Sequence, residues 1–257
     1  MLRFRLYTKH KYSHTKNAML ASTRFYFLFS MLLVMAFLQL SGFDEWLASQ
    51  IYHIYGDWHW QQSWLLETVI HKGGHWLVIA IVLLMLLSTI VSYWRGWGNK
   101  ISRLSGVYLC TATLASIIAV SLLKRLTTLP CPWSLTKFGG DQAPVYLYDV
   151  FSSKLDIGHC FPSGHASGGF ALFSLYFAAR ILFPKYQAGN RLNLWFLPGL
   201  CLGLVFGLAQ QLRGAHFISH DIASALVCWA VCALIYRLFF AGNIQPANTP
   251  DTLPLDP

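Results

Sequence analysis

Apolar residues in this chain fall in long runs divided by short polar stretches. They do not follow the alternating or helical-stripe spacing of half-buried elements. Six runs stand out: Arg24–Phe43, Trp76–Trp94, Ser105–Leu123, Ala166–Phe183, Trp195–Leu212 and Phe217–Phe240. Each approaches the ~20 residues a helix needs to cross a bilayer. In hydrocarbon the backbone has to satisfy its own hydrogen bonds, so runs of this kind predict helices. The expected fold is an all-α, six-transmembrane-helix bundle over residues 24–240. A basic leader (1–23) precedes it. A tail (241–257) with four prolines and no apolar run follows, and its composition predicts disorder. Gly168, Gly169, Gly203 and Gly207 in the fourth and fifth runs permit close helix approach.

Composition agrees with the pattern. Of 257 residues, 55% are hydrophobic and 11% charged, where soluble domains carry about a quarter charged residues. The net charge of +9 does not point to nucleic acid, because no basic face is interleaved with aromatics. Its distribution fixes an orientation instead. With both termini cytoplasmic, the inner segments hold Arg3, Arg5, Lys9, Lys11, Lys16 and Arg24, then Arg95, Lys100 and Arg103, then Arg180, Lys185 and Arg191, and finally Arg237. The outer segments hold Asp44, Glu45, Asp57, Glu67, Asp141, Asp149, Asp156 and Asp221. The Lys/Arg bias follows the positive-inside rule. The first run lacks a small-residue cleavage site, so it reads as a retained start-transfer helix. In a bacterial cell this places a multi-pass protein in the inner membrane, with its outer loops in the periplasm.

Two outer loops follow from this topology. The first, Asp44 to His75, is rich in Trp and His and suits an interfacial helix at headgroup depth. Its His53, His59, His71 and His75, with His159, lack short ligand spacing on a predicted helix and read as interfacial residues rather than a metal site. The second, Lys124 to His165, is the longest connection, and long loops in compact bundles are more often functional than not. Ionisable groups gather at the outer helix ends around it. Lys124 and Arg125 end the third run, Cys160-Phe161-Pro162-Ser163-Gly164-His165 opens the fourth, and Gly214-Ala215-His216 precedes the sixth. Charges are costly near hydrocarbon and mark sites when they recur at one depth. Together these groups suggest a phosphate-handling site. Four cysteines (Cys110, Cys201, Cys228, Cys232) lie in apolar runs. Cys131 and Cys160 share the outer loop, where an oxidising compartment would permit a disulfide.

These residues resemble the type-2 phosphatidic acid phosphatase family, which shares its core with the vanadium haloperoxidases. That family carries Lys-x6-Arg-Pro, Pro-Ser-Gly-His and Ser-Arg-x5-His-x3-Asp. Here the first reads Lys124-x6-Cys131-Pro132 and the second is intact as Pro162-Ser163-Gly164-His165. The third reads Ala209-Gln210-x5-His216-x3-His220, followed by Asp221. Two arginines that would clamp phosphate are thus Cys131 and Gln210, and Arg is the residue suited to that bidentate grip. Arg125 and Arg213, beside the motifs, are candidates to supply the missing cations. The resemblance implies a metal-independent, cofactor-free lipid phosphatase. His216 is the implied nucleophile, forming a phosphohistidine, and His165 the acid and base. Lys124, Ser163, Gly164 and Arg125 or Arg213 would hold the phosphate.

The orienting partner of His216 stays open between two residues. On a continuous helix His220 lies about 40° around from His216 and Asp221 about 140° around, yet a carboxylate is the better acceptor. The implied substrate is a lipid phosphate or diphosphate. Phosphatidic acid, phosphatidylglycerophosphate, undecaprenyl diphosphate and lipid A phosphates are not separated by the sequence. Phosphotransfer to a second lipid, or a degenerate lipid-binding or transport role, are the alternatives. No obligate protein partner is evident.

Overall fold

The computed structural model describes residues 29–144, 158–183 and 194–240. The expected leader (1–23), the tail (241–257), and Lys185 and Arg191 lie outside these residues. Helices dominate the described chain. α1 (Phe29–Leu40) and α2 (Phe43–His53) meet at a 61° bend. Gly42 turns the chain there with φ 74°, a backbone region that costs glycine nothing because it has no Cβ. α3 runs from Trp64 to Trp94, and its first ten residues, Trp64–Gly73, are wound as a π-helix. α4 (Lys100–Leu126) begins at Asn99, whose Oδ1 accepts the Ser102 N–H at 2.8 Å, satisfying one orphan donor of the first turn.

The fourth predicted run is broken into α5 (Gly164–Phe170), one 3₁₀ turn (Ala171–Phe173) and α6 (Ser174–Leu182). α7 (Leu197–Leu212) has Pro198 in its first turn, where a missing N–H is harmless. α8 (Ile218–Phe240) ends the described chain. Its first turn is capped from a distance, because buried Asp44 of α2 accepts the Ser219 N–H on Oδ1 at 3.1 Å. Gln39 of α1 also donates to Ser219 Oγ. The bent α1–α2 pair is thereby fastened to the start of α8.

Length and composition qualify α3, α4 and α8 to cross a membrane, with α1–α2 as a fourth if the bent pair is one span. The expected count of six is thus met by three or four among the described residues. The difference has local causes. The 3₁₀ turn divides the fourth run, and α7 stops after 16 residues, at Arg213 and at Gly214 with φ 73°. α3 also starts 12 residues before the predicted Trp76, so the last part of the first outer loop, Trp64 to His75, is helix continuous with a span. A hydropathy window registers hydrocarbon thickness and not helix length, and the polar Glu67, His71 and Lys72 hid this extension.

α8 packs chiefly on α4, and α5 on α7. The core between them is Tyr108, Val120, Phe170, Phe177, Cys228, Cys232 and Phe240. Polar groups inside it are paired, Tyr108 OH donating to the Cys232 carbonyl at 3.1 Å and Thr113 meeting Ser174 at 2.9 Å. α3 is peripheral. Its Leu83, Leu84, Leu87 and Ile90 are 58–65% exposed, a face fit for lipid.

The α5–α7 crossing depends on glycine. A Cβ on Gly169 would lie 2.2 Å from the Gly203 backbone nitrogen, so alanine there forces two helices apart, an overpacking that costs roughly 1–3 kcal/mol. Unfolding in detergent should show Gly169→Ala destabilised by about 2 kcal/mol. Gly73→Ala, whose Cβ meets nothing closer than 3.5 Å, should change little. Equal stability of the two variants would refute this account of the crossing.

Candidate active site

Three elements converge at one end of the bundle. The end of α4 brings Lys124, the strap and the first turn of α5 bring Cys160 to His165, and the α7–α8 junction brings Arg213 to Asp221. The strap is held by main-chain bonds on both sides. Cys160 N–H donates to the Leu129 carbonyl at 3.0 Å, and Ser163 N–H to the His220 carbonyl at 3.1 Å. Ser224 Oγ donates to the Ser163 carbonyl at 2.8 Å. Thr127 Oγ1 donates to the Phe161 carbonyl. Cys131 and Cys160 are bridged, with Cα atoms 5.2 Å apart. The strap therefore joins the end of α4 to the first turn of α8 before any ligand enters.

Within this frame His216 is buried, and its Nδ1 lies 3.4 Å from Nδ1 of His220. His220 and not Asp221 faces His216, although His216 precedes the start of α8, so the two rings meet at the helix entrance and not along one continuous helix. Phe161 and Phe217 bracket the His220 ring edge-on at 5.3 and 5.4 Å. The Cys160 carbonyl lies near both imidazoles and favours the protonated form of His216, against the larger effect of burial. Burial, with His220 and Lys124 nearby, holds the His216 imidazole well below the usual histidine range. The ring is neutral at neutral pH, as a nitrogen nucleophile requires.

Asp221 takes another direction. Its Oδ2 accepts from Gln211 at 2.7 Å, and the carboxylate lies against Gly207, where a Cβ would come within 2.6 Å of it. Ser163 Oγ is near this carboxylate, but neither that hydroxyl nor Asp221 Oδ1 has a well-formed hydrogen bond. Asp221 thus stitches α8 to α7.

Lys124 extends its ammonium toward the strap, 3.7 Å from where Gly164 would carry a Cβ, and acts electrostatically on His216 and His220. Arg125 is exposed and is not brought to this cluster. Arg213 is buried, with Nε donating to the Gln61 carbonyl at 2.9 Å and a terminal nitrogen donating to Gln210 Oε1 at 3.2 Å. Gln210 stands where the family motif has arginine, and it grips the arginine three residues on. That relation was missed in the sequence, although i,i+3 spacing on a helix was the signal for it. His165 donates from Nε2 to the Ile70 carbonyl at 3.2 Å, since a carbonyl only accepts. Its ring packs on Phe206 at 4.4 Å and on His71 at 4.7 Å. It acts electrostatically on His216. Among the described residues no group of three His, Cys, Asp or Glu is arranged to hold a metal ion.

An all-α, multi-pass membrane protein with two histidine-bearing helix ends around a lysine is the class defined so far. Residues 105–244 match the PAP2 superfamily. The match spans more than half of the chain, and the protein belongs to that superfamily. Among solved structures it is similar to the first transmembrane PAP2 type phosphatidylglycerolphosphate phosphatase from Bacillus subtilis. The TM-score is 0.52 at 16% identity, covering 86% of this chain and 97% of that one. At this identity the likeness is one of fold. No curated protein matches the chain.

The disulfide is directly checkable. Denatured, unreduced protein should yield four alkylated cysteines and reduced protein six, by intact mass. The chain separation of 29 residues gives the bridge an entropic effect of about 3–4 kcal/mol, so the Cys131→Ser/Cys160→Ser double variant should unfold correspondingly earlier.

Proposed function

We propose that this protein hydrolyses a phosphomonoester or diphosphate of a membrane lipid through a phosphohistidine, on the outer, periplasmic face of the inner membrane. The topology proposed with it is the six-span arrangement with both termini cytoplasmic. The observation that carries the reading is the buried, neutral His216, paired with His220 and set beside Lys124 and the strap that bears His165. Phosphoryl transfer needs chiefly positioning and charge neutralisation around the transferred group, and the cluster is built from such groups.

In the first step a His216 ring nitrogen forms a bond to phosphorus as the bond to the lipid oxygen breaks. His165 supplies the proton that the leaving oxygen takes up. In the second step water attacks phosphorus, His165 takes its proton, and the P–N bond breaks to free inorganic phosphate. Donation from His165 Nε2 to the Ile70 carbonyl leaves Nδ1 to carry the proton, the orienting part a carboxylate plays in other acid–base histidines. A bound phosphate raises the proton affinity of that ring through its charge. His220 and the Cys160 carbonyl orient His216. Lys124, Arg213, the Ser163 hydroxyl and the Gly164 amide hold the phosphate oxygens. The relative from Bacillus subtilis, by its title, acts on phosphatidylglycerolphosphate, which supports a lipid substrate. The replacement of motif arginines by Cys131 and Gln210 favours one other reading, a binding protein without turnover.

Phosphate release from a lipid panel by purified protein in detergent, without added metal, separates the two. His216→Ala should lose at least about a thousandfold in rate, as when a nucleophile is removed from an enzyme. Arg213→Ala should lose about 100- to 1,000-fold, on the scale of one transition-state donor, and Arg125→Ala should stay within about twofold, like other exposed changes. Wild-type rates in His216→Ala would discard the mechanism, and no turnover by the wild type would leave the binding reading.

The pH dependence has a definite sign. Protonation removes the nucleophile, so activity falls as pH drops through the His216 pKa. Burial puts that value well below the usual histidine range. The acid limb of kcat/KM should accordingly lie below that range, and a limb centred on an ordinary histidine value that His220→Ala leaves in place would contradict it.

A further inference from the structure

An open cleft of about 330 Å³ adjoins His165, lined by His71, Lys72, His75, Trp76 and His165. The roles given above use none of the α3 residues there. His71 and His75 are four apart and share a helix face, placed where the π-helical segment hands over to regular helix. π-Helical turns recur at functional sites. Among the described residues no carboxylate lines the cleft. The nearby Glu67 is paired with Lys72 at 2.9 Å, and Arg213 acts electrostatically on both His71 and His165. One ring nitrogen of His71, Nδ1, is buried without a partner. In the tautomer with its proton on Nε2 the ring is a donor. Trp64 and Trp76, 72% and 69% exposed, suit the headgroup level of a bilayer.

The cleft thus offers two imidazoles and an ammonium to a ligand, with a guanidinium behind them, and it shares His165 with the proposed phosphate site. A substrate with one phosphate leaves these donors unused. We propose that the cleft binds a second phosphate of the same substrate molecule, so that lipids carrying two phosphates are preferred to lipids carrying one. This rests on the phosphatase reading above and names its substrate class.

Two measurements test it. The first compares kcat/KM for a lipid with one phosphate (phosphatidic acid), one with a phosphodiester and a terminal phosphate (phosphatidylglycerophosphate), and one with a diphosphate (farnesyl diphosphate). The variant is Lys72→Ala/His75→Ala, both positions being exposed. At least one two-phosphate lipid should lose about tenfold, the scale of a lost charge-assisted hydrogen bond, while phosphatidic acid changes less than about twofold. Which two-phosphate lipid responds tells whether the second group is a diester or the distal half of a diphosphate. Equal losses on all three lipids, or none on any, would overturn the subsite.

The second measurement needs no turnover, so it separates failure of the subsite from failure of the phosphatase reading. Thermal stabilisation of the wild type in detergent should be greater with glycerophosphoglycerol phosphate or inorganic diphosphate than with glycerol 3-phosphate. The double variant should abolish that difference. Equal stabilisation of the wild type by all three probes, or an unchanged difference in the variant, overturns the subsite even if the protein proves to be no phosphatase.

Discussion

The structure depends on backbone hydrogen bonds that close the strap before α5 onto its two neighbours. Near a bilayer an unpaired amide or carbonyl costs several kcal/mol, so a non-helical segment at this depth has to find partners in protein. Cys160 and Ser163 find theirs in the Leu129 and His220 carbonyls, and the Ser163 carbonyl finds Ser224. The bond from Ser163 to His220 matters most. It uses a carbonyl in the very turn that carries His220 and follows His216, so the phosphate-loop sequence and the histidine pair cannot shift independently. The Asp44 cap on Ser219 holds the same turn from the other side.

Where the family motif has arginine, this chain places a glutamine that binds an arginine three residues on. Gln210 keeps a polar group on the inner face of α7, and Arg213 comes back beside it one helical turn later. Gln210 Oε1 takes one guanidinium proton and the Gln61 carbonyl another. An arginine buried at this depth needs such acceptors, since an unpaired buried charge is strongly destabilising. The other replaced arginine has a different consequence. Cys131 lies in the disulfide with Cys160, so that position gives up a charge and contributes a covalent tie to the strap.

What could be read from the sequence divides along physical lines. Helical class and the intact Pro162-Ser163-Gly164-His165 follow from hydropathy and local sequence, whereas the facing of His220 and His216 depends on the turn that precedes α8. The early start of α3 could not be read this way, because Glu67 and Lys72 satisfy each other across a helical turn and the polarity of the segment concealed a helix. The break at Ala171–Phe173 was equally hidden. Gly168 and Gly169 announced a close approach, yet only the partner helix decides that Gly169 meets the Gly203 backbone. Arg125 and Arg213 looked equivalent beside their motifs. They differ because one projects from the end of α4 into the open and the other lies inside the α7–α8 turn, a distinction made by tertiary packing alone.

Placing histidine where the family motif has aspartate also changes the electrostatics of the proposed nucleophile. A carboxylate beside His216 would favour the imidazolium and draw the pKa upward. His220 brings no negative charge, and its own ring adds to the factors that lower the His216 pKa. The pair can share one proton along the 3.4 Å between its Nδ1 atoms, which orients the rings without making either basic. In the mechanism proposed above, the arrangement gives up charge stabilisation of a phosphohistidine in return for a nucleophile that stays unprotonated in acid. The nearby carboxylate, Asp221, faces away from this pair and secures α7 through Gln211.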